Sequence, residues 1–223
     1  MDSDRLEQIQ QNLRSHAINV RQSALNELAT VPSNLALPIL KELARNNDFA
    51  LRRVAVMGLG NHLTEESFTV LKQIIETERD SNVLAEAANS LFEFGDRSVS
   101  LLQQLFTNSE NWLVRQTVIS ILADSDRPNI LFQVAKLAIA DKDQTTKEAG
   151  ILTLSRLLNT PFKQQALEIL SILAEDNYWR TRWRTAIALT ASQDPQVRTL
   201  LAKLRQDDHY RVVAAALEQP RLK

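Results

Sequence analysis

The sequence predicts an all-α protein, a right-handed superhelical solenoid of about seven short helix pairs in one repeat domain over 1–223. Three observations carry that expectation. A nine-residue pattern recurs at a nearly fixed period, polar capping residues stand just before it, and the apolar content is aliphatic. Hydrophobic residues make up 44% of the chain, aromatics only 5%, and there are four glycines, a composition that suits close-packed helices.

The recurring segments are VRQSALNEL from Val20, LRRVAVMGL from Leu51, VLAEAANSL from Val83, VRQTVISIL from Val114, TKEAGILTL from Thr146, TRWRTAIAL from Thr181 and YRVVAAALE from Tyr210. Their starts are separated by 31, 32, 31, 32, 35 and 29 residues, so the sixth segment is expected to have slipped by about one helical turn. Positions 1, 5 and 9 form one stripe of an amphipathic helix. A small residue such as Ala24, Ala55, Ala87 or Gly150 admits a neighbouring helix closely. Asp48, Asp80, Asn111, Asp143 and Asp207 stand three residues before a segment, where a side-chain oxygen caps the first amides of a helix.

Between the segments lie further helical patterns: LEQIQQNL, ALPILKELA, FTVLKQII, SLLQQLF, ILFQVAKLA, ALEILSILA and VRTLLAKL. Pro32, Pro38, Pro128, Pro161 and Pro195 fall near the starts of these first helices, where a missing amide costs little. The expected pairs are therefore 4–30, 33–62, 64–94, 98–124, 128–158, 161–191 and 195–219.

Composition also limits function. The absence of cysteine excludes disulfides, thiolate metal sites and cysteine nucleophiles. No basic-then-apolar leader opens the chain and no run nears the roughly 18 apolar residues of a membrane span, so a cytoplasmic protein is expected. Net charge is −1, which speaks against a broad nucleic-acid binder, a HEAT-like DNA glycosylase included. The charge is uneven: residues 176–223 hold nine basic and five acidic side chains, net +4, against net −5 before them. There is no Gly-rich phosphate loop and no G-x-S-x-G elbow. His16, His62 and His209 show no metal-ligand spacing, so no metal site is expected.

The D-x-x-V-R-x-x-A-x-x-x-L pattern resembles the short HEAT-like repeat of cyanobacterial phycobilin lyases. The segment NYWRTRWRTAIAL from Asn177 is similar to a Trp-Arg-x-Arg-aromatic stretch of that family at Trp179, Arg180, Arg182 and Trp183, with Trp in place of Tyr. The chain looks most like the phycobilisome degradation proteins of the non-bleaching type. The resemblance implies phycobiliprotein subunits as partners, a second HEAT-like subunit or a protease-delivery factor as further partners, and an open-chain tetrapyrrole (phycocyanobilin) as a non-covalent ligand. It implies three alternatives: detaching or otherwise handling bilin, gripping a partner as a non-enzymatic adaptor, or serving as a subunit of a bilin-attaching lyase. Any enzyme activity would be that of a phycobilin lyase on the bilin–cysteine thioether.

The residues point to the same region. Tyr178, Trp179, Arg180, Arg182, Trp183 and Arg184 offer rings for stacking and guanidinium forks for carboxylates, so they are the ligand-binding candidates. Trp179 and Trp183 lie four apart and either continue the buried stripe or face a ligand. Arg21, Arg52, Arg115, Arg182 and Arg211 share position 2 of the repeat, which reads as a structural ladder to cap-region Asp or Asn. Arg52, Arg53, Trp112 and Arg115 are the partner-binding candidates, with Trp112 expected mainly to staple a helix start. Glu86 is expected to face solvent. His209, beside the basic end, is the candidate proton donor.

Overall fold

The structure, a computed structural model, describes residues 3–123 and 127–218; the ends of the fourth and seventh expected pairs, 124 and 219, lie outside them. It is all-helical, with no strand among the described residues. The chain divides into two compact units, Met1–Val118 and Ile119–Lys223.

Unit 1 contains α1 (Ser3–Leu13), α2 (Ile18–Leu28), α3 (Ser33–Leu43), α4 (Phe49–Asn61), α5 (Glu65–Thr77), α6 (Ser81–Phe92), a 3-10 turn at Gly95–Ser98, α7 (Val99–Asn108) and the start of α8 (Trp112–Ala123). The caps explain the helix starts. Asp48 accepts the Ala50 amide, Asp80 those of Asn82 and Val83, and Asn111 that of Leu113. Between α3 and α4, and between α5 and α6, the chain turns within a few residues, so each unit of sequence becomes an antiparallel pair. Its core is aliphatic: Leu13, Leu28, Leu40, Leu59, Leu71, Leu91 and Leu102 are all sealed from solvent. Gly58 and Gly60 let α4 settle on its neighbours, since a Cβ on Gly60 would stand 3.1 Å from the Ser90 backbone.

Unit 2 contains the end of α8, then α9 (Pro128–Ile139), α10 (Gln144–Leu157), α11 (Lys163–Leu173), α12 (Trp179–Leu189), α13 (Pro195–Leu204) and α14 (Tyr210–Leu217). Its second helices α10, α12 and α14 pack on one another in sequence, whereas the first helices touch far less. Leu154, Leu170, Ala186, Leu189, Val197, Val212 and Ala216 share one buried cluster. Gly150 seats α10 on α9: a Cβ there would lie 2.7 Å from Ala138 Cβ and 3.1 Å from the Ala135 carbonyl oxygen.

The seventh segment needs a correction. Tyr210, expected on the buried stripe, is 71% exposed, and Val212 is the sealed residue. Asp207 is not the cap of α14. His209 is, its Nδ1 accepting the Arg211 amide at 3.3 Å, while Asp207 accepts the His209 amide two residues on. The buried anchors are therefore Thr146, Thr181 and Val212, and the sixth segment has not slipped back; the extra residues sit between α10 and α12 and shift everything after them. The offset was misread because Tyr210 is apolar enough to pass for a stripe residue.

Candidate functional site

Position 2 of the repeat carries the suggested ladder at Arg52 and Arg182, whereas Arg21, also expected on it, makes no ion pair among the described residues. In unit 1, Arg52 donates from Nε and Nη2 to Glu78 at 2.7 and 3.1 Å, and from Nη1 to the carbonyls of Asn46 and Asn47. In unit 2, Arg182 repeats this with Asp207, at 2.6 and 2.9 Å, and with the carbonyls of Asp176 and Asn177, and also reaches Asp208. Lys147 makes the same step to Asp176 at 2.9 Å. Each cation reaches the acidic loop of the next pair, where a carboxylate two residues before the cap also accepts an amide, and Arg52 and Arg182 tie their own loops to it as well.

The electrostatics follow. The Arg182 fork holds Asp207 below the ordinary carboxylate range, against burial, and Asp207 in turn raises Arg182. Burial pushes Glu78 and Asp176 upward, but the Arg52 fork and nearby amides outweigh it for Glu78, and the Tyr178 amide and Lys147 do so for Asp176. Arg52 and Arg182 thus have their donors committed inside the chain. Arg211 is off the ladder: with Val212 as anchor it occupies the repeat position of Arg180, one residue before the buried Thr181.

What remains at the starts of α12 and α14 is an aromatic cluster. Trp179 lies parallel to the His209 ring, 4.0 Å between centroids and 3° between planes. His209 stacks on Tyr210 at 5.1 Å, Tyr178 meets Trp179 edge-on at 6.1 Å, and Trp183 lies 6.3 Å from Trp179. Guanidiniums sit over these rings: Arg184 is 4.4 Å from the Trp183 centroid and Arg211 5.4 Å from that of Trp179. Neither tryptophan is fully core or fully free. Both are half-buried, and Trp183 packs on the unit 2 core with one side. Tyr178, at 44%, and Tyr210 are exposed.

Arg180 and Arg184 are gathered by a residue that the sequence did not single out. Glu148 of α10, 4% exposed, accepts from Arg180 Nη2 at 2.8 Å and Arg184 Nε at 2.8 Å, and from Gln144 Nε2 at 3.2 Å. Its hydrogen bond is the main reason that Arg180 is raised. Glu148 carries no signal in the sequence until α10 and α12 are laid together, and Tyr210 none because the register of the last segment is off by two residues.

The partner-binding candidates lie in unit 1. Arg53 donates to Glu86 at 2.9 Å, so Glu86, expected in solvent, is mostly covered by that pair. Trp112 opens α8 half-exposed, at 51%, too open to act as the expected staple. Arg115 follows within the same first turns of α8 and is half-buried. His209 uses Nδ1 as the α14 cap, so its ring proton sits on Nε2. No group of three His, Asp or Glu among the described residues is arranged to hold a metal, and no helix among them is long and apolar enough to cross a membrane.

The stacked pairs and their ladder define a class, the helical-repeat proteins. Within it, the HEAT repeats profile matches residues 6–92 and 44–123, more than half of the sequence, and the chain belongs to the HEAT repeat family. No curated protein sequence matches it. Among solved structures it is similar to YibA of Escherichia coli, with TM-score 0.66 and 13% identity over 96% of this chain and 80% of that one. It is also similar to the karyopherin Kap121p bound to the extreme C-terminus of the protein phosphatase Cdc14p, with TM-score 0.54 and 16% identity over 97% of this chain and 29% of that one. At such identities the likeness is one of fold.

Proposed function

We propose that this HEAT repeat protein is a partner-binding scaffold that docks a phycobiliprotein through the α12–α14 cluster and handles its bilin in phycobilisome degradation. In this reading an open-chain tetrapyrrole lies against Trp179 and Trp183, with its propionates toward Arg180, Arg184 and Arg211. One observation carries it: half-buried indoles and guanidiniums share one surface, in the segment that resembles the bilin-handling family. Rings supply flat contact area and the guanidiniums supply charge-assisted hydrogen bonds, the two things a conjugated dicarboxylate takes. Arg182 plays no direct part, because its donors hold the ladder. A chain without cysteine holds such a ligand non-covalently.

A second reading, a pure adaptor, is favoured by the exposed rings that open second helices, Phe49, Trp112 and Tyr210. Tyr and Trp dominate the energetics of protein interfaces, and the same fold in Kap121p is seen bound to another protein's C-terminus. An absorbance and fluorescence time course of a bilin-carrying phycobiliprotein mixed with this protein separates the two. A band shift lost in Trp179→Ala and Trp183→Ala supports bilin handling. Co-elution with an unchanged spectrum leaves the adaptor, and neither effect removes both.

A further inference from the structure

Second helices of neighbouring pairs are joined by one recurring link. In unit 1, Arg53, two residues after its anchor Leu51, donates to Glu86, three after Val83. In unit 2 the same positions are occupied with opposite sign: Glu148, two after Thr146, accepts from Arg184, three after Thr181. The unit 1 link is one cation to one anion. The unit 2 link is not, because Glu148 also takes Arg180, and Arg211, at the repeat position of Arg180, has no carboxylate partner among the described residues. Two guanidiniums therefore share one buried carboxylate, and the third, Arg211, lies over Trp179 with none.

Arg184 is tied by Nε and Arg211 by Nε to the Tyr210 hydroxyl at 3.1 Å, while Arg180 is held by Nη2 on Glu148 and by the Tyr178 side chain. Most of the five N–H donors of each remain for a ligand. Being tied, with Arg184 and Arg211 also laid over rings, they lose little freedom when a ligand arrives, which is how preorganisation strengthens binding.

We propose that Glu148 is the positioning residue of a carboxylate receptor: it sets Arg180 and Arg184 side by side so that their remaining donors, with Arg211, take the carboxylates of an acidic polypeptide segment of the partner. The inference rests on the reading above for its choice of the α12–α14 cluster as the binding surface, and the partner's segment and the bilin occupy these side chains in turn, not together. A polypeptide fits better than a polyphosphate. Exposed Asp208 stands beside the cluster and residues before 176 carry net −5, both of which repel a long polyanion, whereas a short segment can place spaced carboxylates on the arginines and apolar side chains on Trp179 and Trp183.

The test is a tryptophan-fluorescence titration of the full chain with a capped ten-residue peptide of alternating Glu and Leu, its Gln/Leu counterpart, and a single-stranded oligodeoxynucleotide. Charge alone makes Glu148→Gln bind the acidic peptide more tightly, since the face becomes more positive. Positioning makes it bind about tenfold more weakly, the loss expected when one charge-assisted hydrogen bond is misplaced. Arg184→Lys keeps the charge and loses the fork, and is expected to weaken binding similarly. Circular dichroism melts of both variants establish that they are folded, and Arg184→Lys carries the test by itself if Glu148→Gln is not. Unchanged or tighter binding by either folded variant, oligonucleotide binding as tight as peptide binding, or no peptide binding by the parent chain overturns the proposal. If the peptide fails while the tryptophan-dependent bilin response persists, only this inference falls; if the peptide binds and the phycobiliprotein does not, the reading above falls instead.

Discussion

The second helices of unit 1 and unit 2 are built on the same plan and present different chemistry. In unit 1 the solvent side of α2 and α6 carries amides, Asn19, Gln22, Asn26, Asn82 and Asn89, with Gln22 and Asn26 hydrogen-bonded to each other, and the pair that joins α4 to α6, Arg53 with Glu86, sets one cation on one anion. In unit 2 the equivalent positions of α12 and α14 carry Arg180, Trp183, Arg184 and Arg211, with Arg180 and Arg184 on one carboxylate, Glu148, and Arg211 over the Trp179 ring. The ladder beneath is common to both, Arg52 to Glu78 and Arg182 to Asp207. The comparison teaches that the arginines of this chain do two jobs, and that repeat position tells them apart: position 2 holds the stack together, while the residues flanking it meet the solvent.

The largest effect expected is on stability, and it should be the same in both units. Arg52→Ala and Arg182→Ala each leave a mostly buried carboxylate without its counter-charge and two backbone carbonyls without their arginine donor, a loss of about 2–4 kcal/mol in chemical denaturation. A much smaller loss for Arg182 alone would break the equivalence and return that residue to the binding surface. Next comes Gly150→Ala, whose new methyl meets Ala138 Cβ and the α9 backbone, neither able to swing aside. Overpacking there should cost about 1–3 kcal/mol by the same measurement.

Trp183→Ala and Trp112→Ala sharpen the contrast between the tryptophans. Trp183 has one side on the core, and its removal should cost about 1–2 kcal/mol, against less than about 0.5 kcal/mol for half-exposed Trp112. Equal losses would mean that Trp112 staples its helix after all.

Acid should separate the units as well. His62 is buried in unit 1, its Nδ1 3.1 Å from Ser33 Oγ, and burial lowers its affinity for a proton despite the Leu28 carbonyl. A histidine whose folded value is depressed contributes stability that is complete above its ordinary value and declines as pH falls below it. In unit 2 the depressed groups are carboxylates, Asp176, Asp207, Glu175 and Asp194, whose contribution persists until pH falls into the ordinary carboxylate range and below. Hydrogen exchange followed from pH 7 downward should therefore show α3 and α4 losing protection before α12 and α14. His62→Gln should remove the earlier loss.

Much of the fold was legible in the sequence because a repeat states its rule several times. The caps Asp48, Asp80, Asn111 and Asp143, the small residue at Gly150 and the position 2 ladder all follow from the aligned segments. The register of the last segment did not, because Tyr210 and Val212 are both acceptable at an apolar position and only packing decides between them. The site was half legible. Tyr178, Trp179, Arg180, Trp183 and Arg184 stand out by density within one segment, but Glu148 lies 32 residues before Arg180 and looks like any helical glutamate until α10 and α12 are laid together. His209 and Tyr210 likewise join Trp179 only through the stacking of α12 on α14.

The central claim is that binding belongs to unit 2 and architecture to both. Hydrogen exchange of the full chain with and without a saturating phycobiliprotein tests it most directly. The account predicts new protection at the starts of α12 and α14, around 178–184 and 209–213, with α2, α4 and α6 unchanged. Protection confined to the second helices of unit 1, with 178–184 exchanging as before, would contradict it.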